Sequence, residues 1–115
     1  MVQKIPEKIK KEIEAKGGIE KIIKEIPPKK DIKKIAFIHH ALSDEIRLKI
    51  LFFLNIQESC VCLIKEITGL SYSKLSYHLK ILKDAGLIKS RKLGNYIIYS
   101  ISKKGKFFID KCMIK

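Results

Sequence analysis

The chain has 115 residues, 46% of them hydrophobic, and carries a formal charge of +13 from 25 Lys and Arg against 12 Asp and Glu. That length supports one compact domain with an appendage and argues against two independent cores. No apolar run approaches the roughly 20 residues of a membrane-spanning helix, and the N-terminus alternates Lys with Ile, so a soluble, cytoplasmic protein with no membrane partner is expected. Three cysteines is an odd count, which argues against a secreted disulfide framework and for reduced thiols. The charge points to a polyanionic partner. An enzyme is not expected, because the chain has no glycine-rich phosphate loop, no paired carboxylates in an apolar setting and no Ser/His/Asp arrangement.

In chain order, Ile5, Ile9 and Ile13 form one helical stripe, Gly17-Gly18 breaks it, and Ile19, Ile22, Ile23 and Ile26 repeat the pattern until Pro27-Pro28 stops it. Residues 1–30 therefore read as an N-terminal helical hairpin extension, and residues 31–115 as the main domain. Another amphipathic helix over 31–42 aligns Ile35, Ile38 and Leu42. Ser43 is the expected N-cap of a helix reaching Asn55, with Asp44 and Glu45 complementing the positive end of its dipole. Its second half, Ile50 to Leu54, is apolar all round and should be the central buried helix.

A short helix over Leu63 to Thr68, a corner at Gly69-Leu70 and a second helix from Ser71 make a helix-turn-helix. In the second helix Ser71 is the N-cap, Leu75, Leu79 and Leu82 form a buried stripe, and Gly86 is the left-handed stop. Its other face carries Tyr72, Ser73, Lys74, Ser76, Tyr77, His78 and Lys80, with no carboxylate before Asp84. Hydroxyl, aromatic and cationic groups without acids suit bases and phosphates, the profile of a DNA recognition helix. Next, Leu87–Lys92 and Tyr96–Ser102 read as strands around Leu93-Gly94-Asn95, a basic hairpin or wing. Ile97, Tyr99 and Ile101 are expected to face the core, leaving Lys89, Arg91, Lys92 and Asn95 to reach a minor groove or backbone. Residues 71–106 hold nine basic side chains against one acid, whereas residues 1–34 hold eleven lysines against six acids. The first cluster reads as a binding surface and the second as a solvated helix face.

The last helix, over 103–115, crowds Phe107, Phe108, Ile109, Cys112, Met113 and Ile114 into a short segment. A winged core has little room for all of them, so this helix and the 31–42 helix are expected to meet across a twofold axis. The expected fold is mainly α with a small β-hairpin, a dimeric winged helix-turn-helix.

Three segments carry a family resemblance: Ala41 to Leu51, Glu58-Ser59-Cys60-Val61-Cys62, and Ser76 to Ile88. Over about Ala41 to Ser102 the chain resembles the ArsR/SmtB family of winged-helix, metal-responsive repressors. The resemblance implies a homodimer whose terminal helices form the interface, and an effector that lowers affinity for operator DNA. It also implies Cys60 and Cys62 as ligands to a thiophilic metal or metalloid ion, the only cofactor in view. Leu63 stands where such members carry an aspartate after the Cys-Val-Cys pair, and Lys65 where the arsenic-sensing members carry a third cysteine.

Two thiolates spaced this way can chelate a soft ion or oxidise; a third ligand would come from Cys112 of a second copy or from His39 and His40. Otherwise the two histidines serve to cap their helix. On the DNA face, Tyr72, Ser73 and Ser76 are candidates for base edges, and Lys74, Tyr77, Lys80 and the wing cations for phosphates. His78, at the border of the buried stripe, suits packing or a phosphate equally. The rival function is a small basic RNA-binding or ribosome-associated winged-helix protein, which charge alone does not separate from a sequence-specific DNA-binding transcriptional regulator.

Overall fold

A computed structural model describes residues 4–113. In chain order it contains α1 (Glu7–Ala15), α2 (Ile19–Glu25), α3 (Lys29–Leu42), α4 (Glu45–Ile56), β1 (Ser59–Cys60), α5 (Val61–Thr68), α6 (Tyr72–Asp84), β2 (Ile88–Leu93), β3 (Tyr96–Ile101) and α7 (Lys103–Cys112). The chain divides into two compact units, one ending at Lys33 and the other beginning at Lys34.

In the first unit, α1 and α2 form the helical hairpin that the isoleucine stripes predict. Gly17 and Gly18 both adopt positive φ, 98° and 95°, and the Gly18 amide donates back to the Ile13 carbonyl. That left-handed ending satisfies carbonyls a straight helix would leave orphaned, and it turns the chain sharply enough for α2 to start. Neither helix buries a residue fully, and Ile9, Ile19 and Ile23 remain exposed.

The second unit is built on α4. Its residues Ile50, Leu51 and Leu54 are buried among α5, α6, α7 and β3, as an all-apolar helical half requires. Around them lie Ile38, Ala41, Ile64, Leu75, Leu79, Leu82, Leu87, Ile88 and Ile109. The sheet has three strands in the order β1-β3-β2, all antiparallel, with Ser59 opposite Tyr99 and Ile88 opposite Ile101.

Four local expectations are corrected. Asp44, not Ser43, is the N-cap of α4: its carboxylate accepts from the Ile46 and Arg47 amides at 2.9 and 3.0 Å. Ser43 is occupied at the end of α3, where its hydroxyl donates to the His40 carbonyl at 2.8 Å. The helix expected over Leu63 to Thr68 begins at Val61 and is preceded by the strand β1, whose two residues are too few to display alternation. Ile38 packs into its own chain's core, because α3 lies close enough to α4 to cover it. Ile97 is exposed, since only the lower half of β3, with Tyr99 and Ile101, rests on the core while the upper half extends as the wing.

Candidate nucleic-acid interface

The helix-turn-helix is α5, a corner and α6. Gly69 closes α5 in the left-handed region at φ 70°, its amide donating to the Lys65 carbonyl at 2.8 Å. Two residues later Ser71 caps α6, its hydroxyl accepting from the Lys74 amide at 3.3 Å. Leu75, Leu79 and Leu82 anchor α6 in the core, which fixes the opposite face outward. That face exposes Tyr72, Ser73, Lys74, Ser76, Tyr77 and Lys80.

Their side chains are committed to different degrees. Lys74 makes no ion pair among the described residues, whereas Lys80 pairs with Asp84 at 3.0 Å one turn on. Such an exposed pair is worth only a few tenths of a kcal/mol. Tyr72 carries the Lys65 ammonium 5.0 Å from its ring centre, so α5 adds a cation beside the start of α6.

The wing follows directly. Gly86 ends α6 at φ 75°, and the Leu87 amide donates to the Leu82 carbonyl at 3.0 Å, which aims β2 back along the helix. Leu93 faces Tyr96 across a two-residue turn, Gly94-Asn95, with Gly94 at φ 61°. Lys89, Lys92 and Asn95 are exposed, and neither lysine has a carboxylate partner among the described residues. Arg91 does: its guanidinium grips Glu58 with two bonds of 2.8 and 3.2 Å, tying β2 to the segment before β1. Lys83 of α6 reaches Ser90 of β2 at 2.7 Å.

His78, expected on the DNA face, is turned inward at Nδ1. That nitrogen lies 3.0 Å from Arg47 Nη1, and only 13% of the side chain is exposed. Arg47 itself is 4% exposed, an unusual burial for a cation, and is satisfied by the Ala41 carbonyl at 2.9 Å and the His40 carbonyl at 3.1 Å. The guanidinium thus closes the C-terminus of α3, stands at the first turn of α4 and touches α6. Asp44 completes the cluster. The Arg47 amide bond to its carboxylate, with the Arg47 charge and the Ile46 amide, holds it below the usual carboxylate range against the opposing effect of burial.

The reduced thiols expected at Cys60 and Cys62 are instead joined to each other in a disulfide between β1 and the first turn of α5. Among the described residues no group of three His, Cys, Asp or Glu side chains could hold a metal ion. Within one chain the described residues therefore bring no third donor to this cysteine pair. Cys112 is free and exposed, and His39 bonds the Ile35 carbonyl through Nδ1 at 2.9 Å, an ordinary helix-end contact. Two clefts flank the disulfide. One of about 510 Å³ is lined by Gln57, Cys60, Leu63, Leu93, Tyr96 and Ile98 among others, and one of about 260 Å³ by Cys60, Cys62, Tyr72, Asn95 and Tyr96 with their neighbours. The pair sits where the wing tip and the start of α6 approach each other.

Comparison with known proteins agrees with this geometry. The profile of a bacterial regulatory protein family, the arsR family, matches residues 44–90. A cadmium resistance transcriptional regulatory protein CadC homolog of Staphylococcus aureus is 39% identical over 79 residues, 64% of this chain and 65% of that protein. An arsenical resistance operon repressor of Staphylococcus xylosus is 35% identical over 79 residues, 69% of this chain and 76% of that one. The chain thus spans just under two thirds of the first relative and about three quarters of the second. Among solved structures, the homodimeric winged helix-turn-helix DNA-binding domain Mb0332 from Mycobacterium bovis, described as a possible ArsR-family transcriptional regulator, superposes with a TM-score of 0.62. It shares 29% identity over 70% of this chain and 77% of that one. No helix of the described residues is long and apolar enough to cross a membrane. With a helix-turn-helix and wing of this form and these relatives, the chain belongs to the arsR family of bacterial regulatory proteins.

Proposed function

We propose that this protein is a cytoplasmic, homodimeric, sequence-specific DNA-binding transcriptional repressor, released by an effector that acts at Cys60 and Cys62. The observation that carries the reading is the outward face of α6: hydroxyls, two tyrosines and the unpaired Lys74, held by a fully buried leucine stripe beside a wing with free Lys89 and Lys92. In this reading the first turn of α6 enters the major groove. Tyr72, Ser73 and Ser76 meet base edges, Lys74, Tyr77 and Lys80 meet phosphates, and Lys89, Lys92 and Asn95 follow the adjacent backbone. Arg91 stays with Glu58 and sets the wing's angle, or exchanges that carboxylate for a phosphate on binding.

The dimer is supported by apolar side chains that the second unit leaves uncovered on its terminal helices: Ile35 and Phe37 of α3, and Phe107 of α7. Burying them against a second copy contributes at about 25 cal/mol per Å². Residues 1–30 then serve as an N-terminal extension to this dimeric unit. For the effector, relatives are named for cadmium and arsenical resistance, but the disulfide favours oxidation of the thiol pair. A soft ion would need a donor from the second copy.

The test is a shift assay on duplex DNA from the protein's own promoter region, competed with structured RNA. Lys74→Ala removes one phosphate contact per protomer. At about 0.9 counterions released per contact, the log–log salt slope of a twofold complex should fall by nearly 2. An unchanged slope contradicts the docking, and RNA displacing promoter DNA at equal concentration favours the RNA-binding reading.

A further inference from the structure

We propose that His78 is a phosphate-binding residue of α6, held by Arg47 as the tautomer whose Nε2–H points away from the core and at the nucleic-acid backbone. The inference rests on the DNA-binding reading for its partner, but the tautomer follows from the free protein alone.

A guanidinium has five N–H donors and no acceptor, and it does not deprotonate in proteins. The 3.0 Å contact between Arg47 Nη1 and His78 Nδ1 is therefore a hydrogen bond only if Nδ1 offers its lone pair. A neutral ring that accepts at Nδ1 carries its proton at Nε2. Arg47 has little freedom to yield: its other two nitrogens, Nε and Nη2, donate to the Ala41 and His40 carbonyls, and the residue is nearly inaccessible. Asp44, the only carboxylate near Nδ1 among the described residues, lies 3.9 Å away and is already bonded to two backbone amides. It balances the guanidinium charge without competing for the imidazole.

The outer nitrogen is free to act. No buried side-chain nitrogen or oxygen among the described residues lacks a partner, and Nε2 makes no hydrogen bond there, so it belongs to the exposed 13% of the side chain and is not sealed in the core. His78 lies one turn beyond Lys74 on the same side of α6, and its ring stands edge-on to that of the exposed Tyr77. It thus adds a neutral, directional donor to a row otherwise made of mobile cations. A lysine can follow a phosphate over several ångströms; this imidazole cannot, because its other edge is bolted to α4. The contact would fix the depth and angle of α6 on the backbone as well as adding affinity.

Two substitutions separate the edges of the ring. Asparagine places an acceptor near the position of Nδ1 and ends short of Nε2; glutamine carries its amide nitrogen out to Nε2 and leaves Nδ1 empty. His78→Asn should keep the Arg47 bond and the melting temperature, yet weaken binding of promoter DNA roughly tenfold per protomer at an unchanged salt slope. His78→Gln should melt about 5 °C lower, since a buried donor loses its partner, while keeping affinity within about threefold. In the wild-type protein, long-range ¹H–¹⁵N correlation at mildly alkaline pH should find the His78 proton on Nε2. A proton on Nδ1 overturns the lock. Wild-type affinity in His78→Asn, or affinity losses that merely track melting temperature in both variants, overturns the phosphate contact. If the wild-type protein binds no duplex at all, the functional reading falls and the contact with it, while the ring spectrum still decides the tautomer.

Discussion

Replacing Arg47 with alanine tests how α3, α4 and α6 are joined. In the folded chain the guanidinium is the partner of the Ala41 carbonyl, which belongs to a residue with no exposed surface. Truncation leaves that oxygen unsatisfied, at a cost of about 1–3 kcal/mol. The His40 carbonyl loses less, because the Ser43 amide and hydroxyl still reach it at 3.2 and 2.8 Å. Loss of the buried aliphatic stem adds roughly 2 kcal/mol at about 0.8 per methylene, partly offset because a desolvated charge is no longer buried. A net loss of about 3 kcal/mol is expected, a large share of the 5–15 kcal/mol typical of a domain. At about 4–8 °C per kcal/mol the midpoint should drop by at least 12 °C. Urea titration followed by circular dichroism gives the free energy directly. Arg47→Met keeps the stem and should lose only the hydrogen-bond part, about 1–3 kcal/mol. A loss below about 0.5 kcal/mol for Arg47→Ala would show that the guanidinium is a passenger, and the helix-joining argument would fail.

Two further outcomes follow from the same unit. Gly105 sits in the first turn of α7, where an added β-carbon would overlap the Leu87 carbonyl oxygen and lie 2.8 Å from Ile101 Cγ1. Gly105→Ala should therefore destabilise by about 1–3 kcal/mol despite alanine's better helix propensity, measured by thermal melting; a stabilised variant would refute that close approach. Asp44 has a depressed pKa in the folded state, chiefly through the Arg47 amide, so its contribution is present above the ordinary carboxylate value of 3.8 and is lost as pH falls through the lower folded value. Asp44→Asn keeps a capping oxygen and should flatten that acid limb while changing neutral-pH stability little, and an unaltered acid limb would place the titration elsewhere.

The parts of this fold that were legible in the sequence are those whose physics is local. Ser71, the Leu75, Leu79 and Leu82 stripe and Gly86 each specify α6 within one or two turns, and each behaves as its type dictates. The double-glycine break before α2 is likewise a local backbone demand. What escaped depends on distant partners. Ser43 and Asp44 are both good caps, and their order was decided by the end of α3 needing the hydroxyl. Arg47 reads as a surface cation in a list of residues, and only the convergence of α3 and α6 gives it three acceptors. The inward turn of His78 follows from that burial. The Cys60–Cys62 bond also lay beyond sequence, because pairing at this spacing requires an extended strand end to meet a helix start.

The sheet order has a mechanical corollary. Because β3 lies between β1 and β2, the returning strand of the wing is clamped on both edges near its base, at Tyr99 and Ile98, while Gly94 and Asn95 touch neither flank. Lengthening the hairpin apex by a few residues would disturb no ladder bond below it. Descendants of such a chain can therefore alter how far the finger reaches along a duplex without renegotiating the helical core that carries it.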